Sequence, residues 1–203
     1  MIRDSYGLVL CGGKSTRMKT DKSMLTYFGR PQWQQVYEML NVHCSAVFIS
    51  CNGSQEHQFG REYPLIIDDT KFLDSGPIAS LLSAFAKFPD SDFFIAGCDY
   101  PFLSNQELDG FFSSSSPDKI ASAFFNESEN VYEPVLGWYS HRCRMALIER
   151  FAETKYSLQE FLWEINAGKY LPHDINSITS VDTPELMHSS ILKLNGTYAD
   201  DRA

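Results

Sequence analysis

The sequence predicts an α/β fold with a mostly parallel central sheet and helices on both of its faces. Two observations predict it. Short continuous apolar runs recur along the chain, and segments with apolar residues at helical spacing lie between several of them. Unbroken apolar runs suit strands buried on both sides, and strand–helix alternation suits parallel pairing through crossover helices. A chain of 203 residues, 43% hydrophobic and 14% aromatic, is long enough for a substantial core and is expected to form one domain over 1–203, with a polar tail from about residue 195.

Taken in order, the expected strands are Gly7–Leu10, Ala46–Cys51, Leu65–Ile67, Phe93–Ala96, Ile120–Phe125 and Val135–Tyr139. Between the first two, Pro31 opens a segment in which Trp33, Val36, Tyr37 and Leu40 share one helical face. Gly76-Pro77 opens a second helix over Ile78–Phe88, and Ser104 suits the N-cap of a third. Ser113–Pro117 is a short loop of low complexity, and no internal repeat is present. Tyr132, Trp138 and Tyr139 read as core aromatics of a strand.

The first strand runs into Gly12-Gly13-Lys14-Ser15, whose letters end like a phosphate-binding P-loop. That motif needs a glycine at position 8, which is Leu8; Gly7 misses the register by one, so the glycines form a turn of another kind. Glycine lets backbone approach phosphate oxygens, and Lys14, Arg17, Lys19, Lys22 and Arg30 crowd the same region. A basic cluster in a chain of net charge −9 points to a small anionic ligand there, whereas the overall balance disfavours a long nucleic acid. The strand Phe93–Ala96 ends in Gly97-Cys98-Asp99, which aims a carboxylate at the crevice beyond the strand ends, where it can hold a divalent cation. Such a set stabilises the charge that develops when a nucleophile displaces pyrophosphate from a nucleoside triphosphate.

Other chemistries lack support. Cys11, Cys44, Cys51, Cys98 and Cys143 show no C-x-x-C spacing and are expected as reduced thiols, and the five histidines show no metal-ligand pairing. No Ser-His-Asp or Cys-His set can be assembled from spacing, so direct transfer is simpler than covalent catalysis. No run of eighteen apolar residues and no apolar leader occurs, which makes a cytoplasmic protein without a membrane partner the expectation.

Leu10-Cys11-Gly12-Gly13-Lys14-Ser15-Thr16-Arg17-Met18, followed by Asp21-Lys22 and Leu25, resembles the L-A-G-G-x-S-x-R-M-G-x-D-K-x-L-L signature of molybdenum cofactor guanylyltransferases. Gly76–Leu81 is similar to that family's G-P-L-A-G-I, Gly97–Phe102 to its C-D-x-P-F, and Val181–Leu186 to its C-terminal N-x-N-T-P-E-D-L. Asp21-Lys22 discriminates, since sugar-phosphate and isoprenoid nucleotidyltransferases of the same broad fold usually show Pro-Lys there. The resemblance implies a Rossmann-like nucleotidyltransferase that uses GTP and Mg²⁺ and joins GMP to the phosphate of molybdopterin. A molybdoenzyme or cofactor-handling protein would be its protein partner.

By the same resemblance Leu10, Cys11 and Gly12 line the nucleotide through backbone, with Gly13 and Arg17 in the same turn, and Lys22 meets the phosphates. Asn52 and Asp69 match nucleotide-binding positions, and Asp99 matches the residue that binds both nucleotide and Mg²⁺; Arg17, Lys22 and Asp99 are the expected catalytic set. Cys11 replaces the usual alanine, Lys19 and Ser80 replace glycines, and Ser180 and Asp182 stand where two asparagines associated with the pterin are common. Glu133-Pro134 begins a further similar segment to which no role is assigned. A related cytidylyltransferase, a nucleotidyltransferase with another phosphorylated acceptor, and a non-catalytic nucleotide-binding protein remain the alternatives.

Overall fold

A computed structural model describes residues 4–12, 24–26, 29–114 and 118–181. Its elements in chain order are β1 (Tyr6–Leu10), α1 (Gln32–His43), β2 (Ala46–Cys51), β3 (Leu65–Ile67), α2 (Pro77–Lys87), β4 (Phe93–Gly97), α3 (Asn105–Ser114), β5 (Ala121–Asn126), β6 (Val131–Tyr139), α4 (Arg144–Ala152), α5 (Leu158–Glu164) and β7 (Gly168–Tyr170). The strands form one seven-stranded sheet in the order β3-β2-β1-β4-β6-β5-β7. Parallel ladders join β3, β2, β1 and β4, and β7 runs parallel to β5; β6 alone is antiparallel to its two neighbours.

Alternation along the central strands supplies two cores, one per sheet face. Val9, Cys11, Phe94, Ala96 and Cys98 face a cluster completed by Trp33, Val36 and Leu40 of α1 and by Leu108, Phe111 and Phe112 of α3. Leu8, Leu10, Phe93 and Ile95 face the other, completed by α2, α4 and α5 through residues such as Leu81, Phe85, Leu147 and Phe161. Helices therefore cover both faces, and β1 and β4 are buried on both sides.

The expected strands and first helices lie where the apolar runs put them. Ser104 caps α3 as expected, its Oγ accepting the Glu107 N–H at 3.3 Å. Tyr132, Trp138 and Tyr139 are core residues, and each polar tip is satisfied: Tyr132 Oη donates to the Ala167 carbonyl, Trp138 Nε1 to Ser5 Oγ and Tyr139 Oη to the Pro134 carbonyl.

Two differences stand out. β6 begins at Val131, not Val135, because β5 and β6 form a hairpin across a four-residue turn with Asn130 at φ 55°. An irregularity hides its first half: Ala123 pairs with Gly137 but Phe124 pairs with Glu133, so Pro134 falls where the ladder is interrupted and its missing N–H costs no bond. Lastly α4, α5 and β7, short elements of nine, seven and three residues, were not expected from the apolar pattern.

Glu107, on α3, is 3% exposed and ties the segment after β7 to the body of the sheet. Its carboxylate accepts the Tyr170 hydroxyl at 3.0 Å and the N–H groups of His173 and Asp174 at 3.1 and 2.8 Å. That anchor sends the chain back across the strand ends toward β4.

Gly137 pairs with Ala123 across the β5–β6 ladder: a Cβ there would lie 2.8 Å from the Ser122 carbonyl oxygen and 2.9 Å from the Ala123 Cβ. Gly137→Ala is expected to lower the unfolding free energy by about 1–3 kcal/mol. Denaturant titration against wild type measures it.

Candidate active site

β1 lies between β2 and β4, and the chain leaves β3 to return beside β1 as β4. The carboxyl ends of β1 and β4 thus flank the point where strand order reverses, the place where open α/β sheets bind ligands. A cleft of about 930 Å³ opens there. Leu10, Cys11 and Gly12 from β1, Asn52 after β2, Ile67 and Asp68 at the end of β3, and Gly97, Cys98 and Asp99 from β4 line it, facing the start of α2 at Gly76, Pro77 and Ser80. Gly76 holds φ 75° and ψ −153°, a conformation open in practice only to glycine, and Pro77 supplies the preset first turn of α2.

The β1 turn is fixed by backbone. Cys11 and Gly12 both donate their N–H groups to the Ser50 carbonyl, at 2.9 and 3.1 Å. Buried Gln55 clamps the same turn to the next: its Nε2 donates to the Cys11 carbonyl at 3.0 Å while its Oε1 accepts the Asn52 N–H at 3.2 Å. Asn52 Oδ1 accepts both the N–H and the hydroxyl of Ser54, which leaves the amide nitrogen as the donor end of that side chain. Gly12 must be glycine for a reason invisible in the sequence. A Cβ there would sit 2.9 Å from Asp68 Oδ2.

Asp99 is held from three directions. Gly97 makes room for it, since a Cβ at that position would lie 2.6 Å from Asp99 Oδ1. The Ser180 hydroxyl donates to Asp99 Oδ2 at 3.2 Å, and the Val181 N–H donates to the Asp99 carbonyl at 2.8 Å. Next to it, Tyr100 Oη donates to Glu133 at 2.7 Å. Burial raises the Glu133 carboxyl above its ordinary value, the Tyr100 bond opposes that, and the Asp99 and Glu129 charges add to it.

The two adjacent aspartates after β3 separate. Asp69 lies outside the cleft lining; its carboxylate pairs with Lys71 Nζ at 2.9 Å and accepts the Lys71 N–H, capping the 3₁₀ turn Thr70–Phe72. Those side-chain and backbone bonds from Lys71 hold its carboxyl below the usual range. Asp68 faces the cleft instead, 9% exposed, accepting the hydroxyls of Ser50 at 2.7 Å and Ser80 at 3.3 Å. Ser80, read as a departure from a glycine, thus has a definite partner.

The structure brings Leu10, Cys11, Gly12, Asn52 and Asp99 to one cleft and places Asp69 beside it. Gly13, Arg17 and Lys22 lie outside the described residues, as does Asp182. Sequence reasoning missed Asp68, Gln55 and the Tyr100–Glu133 pair. The cleft lining among the described residues carries three carboxylates, Asp68, Asp74 and Asp99, and no lysine or arginine. No cluster of three or more metal-ligating side chains occurs among them, and none of their helices is long and apolar enough to cross a membrane.

The MobA-like NTP transferase domain matches residues 7–167, which include every cleft residue named above. The chain belongs to that family. It is therefore a nucleotidyltransferase of the MobA-like group. It is 31% identical over 136 residues to a molybdenum cofactor biosynthesis bifunctional protein of Synechocystis sp., a match that covers 66% of this chain and 39% of that protein. It is 29% identical over 195 residues to a probable molybdenum cofactor guanylyltransferase of Halalkalibacterium halodurans, covering 95% of this chain and 93% of the relative. Among solved structures, molybdopterin-guanine dinucleotide biosynthesis protein A from Archaeoglobus fulgidus superposes with a TM-score of 0.76 at 18% identity, over 94% of this chain and 99% of that one. The MobA-like fold is thereby shared well beyond recognisable sequence similarity.

Burial raises the Asp68 carboxyl above its ordinary 3.8, and the Ser50 and Ser80 hydroxyls partly offset the rise. A carboxyl raised in the folded state favours folding most below its unfolded pKa, and that contribution is lost as pH rises through the folded pKa. Relative to Asp68→Asn, the wild-type protein is therefore expected to lose unfolding free energy as pH rises from 3.8 toward neutrality. Urea titrations of both proteins across that range give the difference.

Proposed function

We propose that the protein is a molybdenum cofactor guanylyltransferase, residues 1–203 forming one domain that transfers GMP from GTP to the phosphate of molybdopterin. The observation that carries this reading is the juxtaposition of Gly12 and Asp99 at the switch point of a MobA-like sheet, with the N-terminal signature running on directly from Gly12. Its relatives bear names that agree with the acceptor.

In the proposed reaction a phosphate oxygen of molybdopterin forms a bond to the α-phosphorus of GTP, the bond to the β-phosphate oxygen breaks, and pyrophosphate leaves. Leu10, Cys11 and Gly12 contribute close approach of backbone, because the Cys11 and Gly12 N–H groups already serve Ser50. Arg17 and Lys22 supply positive charge to the phosphates, and Gly13 belongs to the same sequence signature. The Asn52 amide nitrogen is positioned as a donor at the β2 end, and Asp69, paired with Lys71, acts through the shape of the turn it caps.

Asp99 fits Mg²⁺: a hard oxygen donor at a strand end, oriented by Ser180, in a cleft whose described residues form no cluster of three metal ligands. Mg²⁺ takes one or two carboxylates and completes its shell with phosphate oxygens and water. Bound at Asp99, it supplies neutralisation of the triphosphate charge in a cleft whose described walls carry carboxylates. A molybdoenzyme or cofactor-handling protein would receive the product, and a cytoplasmic site of action suits these substrates.

Pyrophosphate release with GTP, CTP, ATP or UTP, each with Mg²⁺ and purified molybdopterin, tests the reading. Release with GTP alone is expected, falling by about 100-fold or more in Lys22→Ala and in Asp99→Asn. Release with CTP alone would change the nucleotide, and release with none would remove molybdopterin as the acceptor.

A further inference from the structure

The charge of the cleft constrains which part of a nucleotide can face Asp68. Its carboxylate is almost fully buried, and its hydrogen bonds come from two neutral hydroxyls, Ser50 and Ser80. A carboxylate has about four acceptor sites, so each oxygen can take a further donor. Asp68 lines the cleft itself, and its Oδ2 fits against the β1 turn because position 12 has no Cβ, which would lie 2.9 Å from it. Phosphate oxygens next to this group would be repelled, whereas N–H donors would be held strongly.

The surroundings suit a flat apolar ring. Ile67 and Leu73, 39% and 47% exposed, are large aliphatic side chains that line the same cleft, as do Pro77 and Ala79 at the start of α2. Exposed aliphatic side chains around one buried polar group are a common composition for a small-molecule site, the polar group fixing orientation.

Base chemistry then narrows the partner. Guanine presents two adjacent donors, N1–H and the 2-amino group, spaced to meet both oxygens of one carboxylate. Adenine and cytosine present one amino donor beside a ring acceptor, and uracil presents one N–H between two carbonyls. We propose that Asp68 is the residue that selects guanine, its Oδ1 and Oδ2 accepting N1–H and the 2-amino N–H. This rests on the guanylyltransferase reading and assigns its base specificity to Asp68, not to the neighbouring Asp69, whose carboxylate is engaged with Lys71.

Nucleotide binding by calorimetry with Mg²⁺ tests it on the full chain, using GTP, CTP, ITP and XTP. ITP lacks the 2-amino group, so wild type is expected to bind it about ten- to a hundredfold more weakly than GTP. In Asp68→Asn the carboxamide offers one acceptor and one donor, which matches the N1–H and 2-oxo group of xanthine. The variant is expected to lose GTP affinity by about tenfold or more and to prefer XTP. A purely structural Asp68 would weaken all nucleotides alike.

Equal wild-type affinity for GTP and ITP would overturn the assignment without any variant, which decides the matter even if Asp68→Asn fails to fold. So would a folded Asp68→Asn protein with the wild-type ratio of GTP to XTP affinity. Wild type that prefers CTP to GTP would instead overturn the guanylyltransferase reading on which this rests.

Discussion

Leu10 pairs with Gly97 across the parallel β1–β4 ladder, and one residue further on the thiols of Cys11 and Cys98 touch at 3.7 Å. That register brings the β1 turn and the Asp99 turn to the same level at the reversal of strand order. It is enforced by burial on both faces: a slip of one residue would send Leu8, Phe93 and Ile95 into the space filled by Val9, Phe94 and Ala96. The cleft is the consequence of two strands ending side by side, with α2 starting opposite them.

Glycine has different tasks at three of the cleft positions. Gly76 adopts a backbone conformation that side chains disfavour. Gly12 and Gly97 instead yield volume to carboxylates, Asp68 and Asp99 respectively. A glycine-rich signature near phosphates is readily read as backbone clearance for the ligand, yet at these two positions the clearance is already used by the protein's own acids. Carboxylates that crowd a cleft without a described cation raise the local cost of an anionic guest, so the site must import positive charge with its ligand or draw it from the basic N-terminal signature.

Much of this was legible in the sequence. Unbroken apolar runs marked β2 and β3 to the residue, because each run is bounded at both ends by polar or turn-forming residues. Asp99 was legible as a polar residue ending such a run. The choice between Asp68 and Asp69 was not, since two consecutive carboxylates at a strand end look alike until their partners are seen, distant Ser50 and Ser80 for one and the local Lys71 for the other. Gln55 reads as an ordinary loop residue until its amide is seen to join two turns. The contact of Ser180 with Asp99 spans 81 residues and has no local signal. β7, with one aromatic in three residues, forms because β5 offers it an edge and Glu107 holds Tyr170, His173 and Asp174 at its end.

The bonds from Ser180 and Val181 to Asp99 also bear on how the protein is made. Strands β1 to β4 and the helices between them can pair and bury their side chains as soon as they leave the ribosome, each closing on a neighbour already synthesised. Asp99, by contrast, waits for a segment made some eighty residues later. A nascent chain can thus own most of its sheet before Ser180 reaches the Asp99 carboxylate and Val181 its backbone carbonyl. The turn at the end of β4 is completed from far along the chain, and the segment that completes it acts as its keystone.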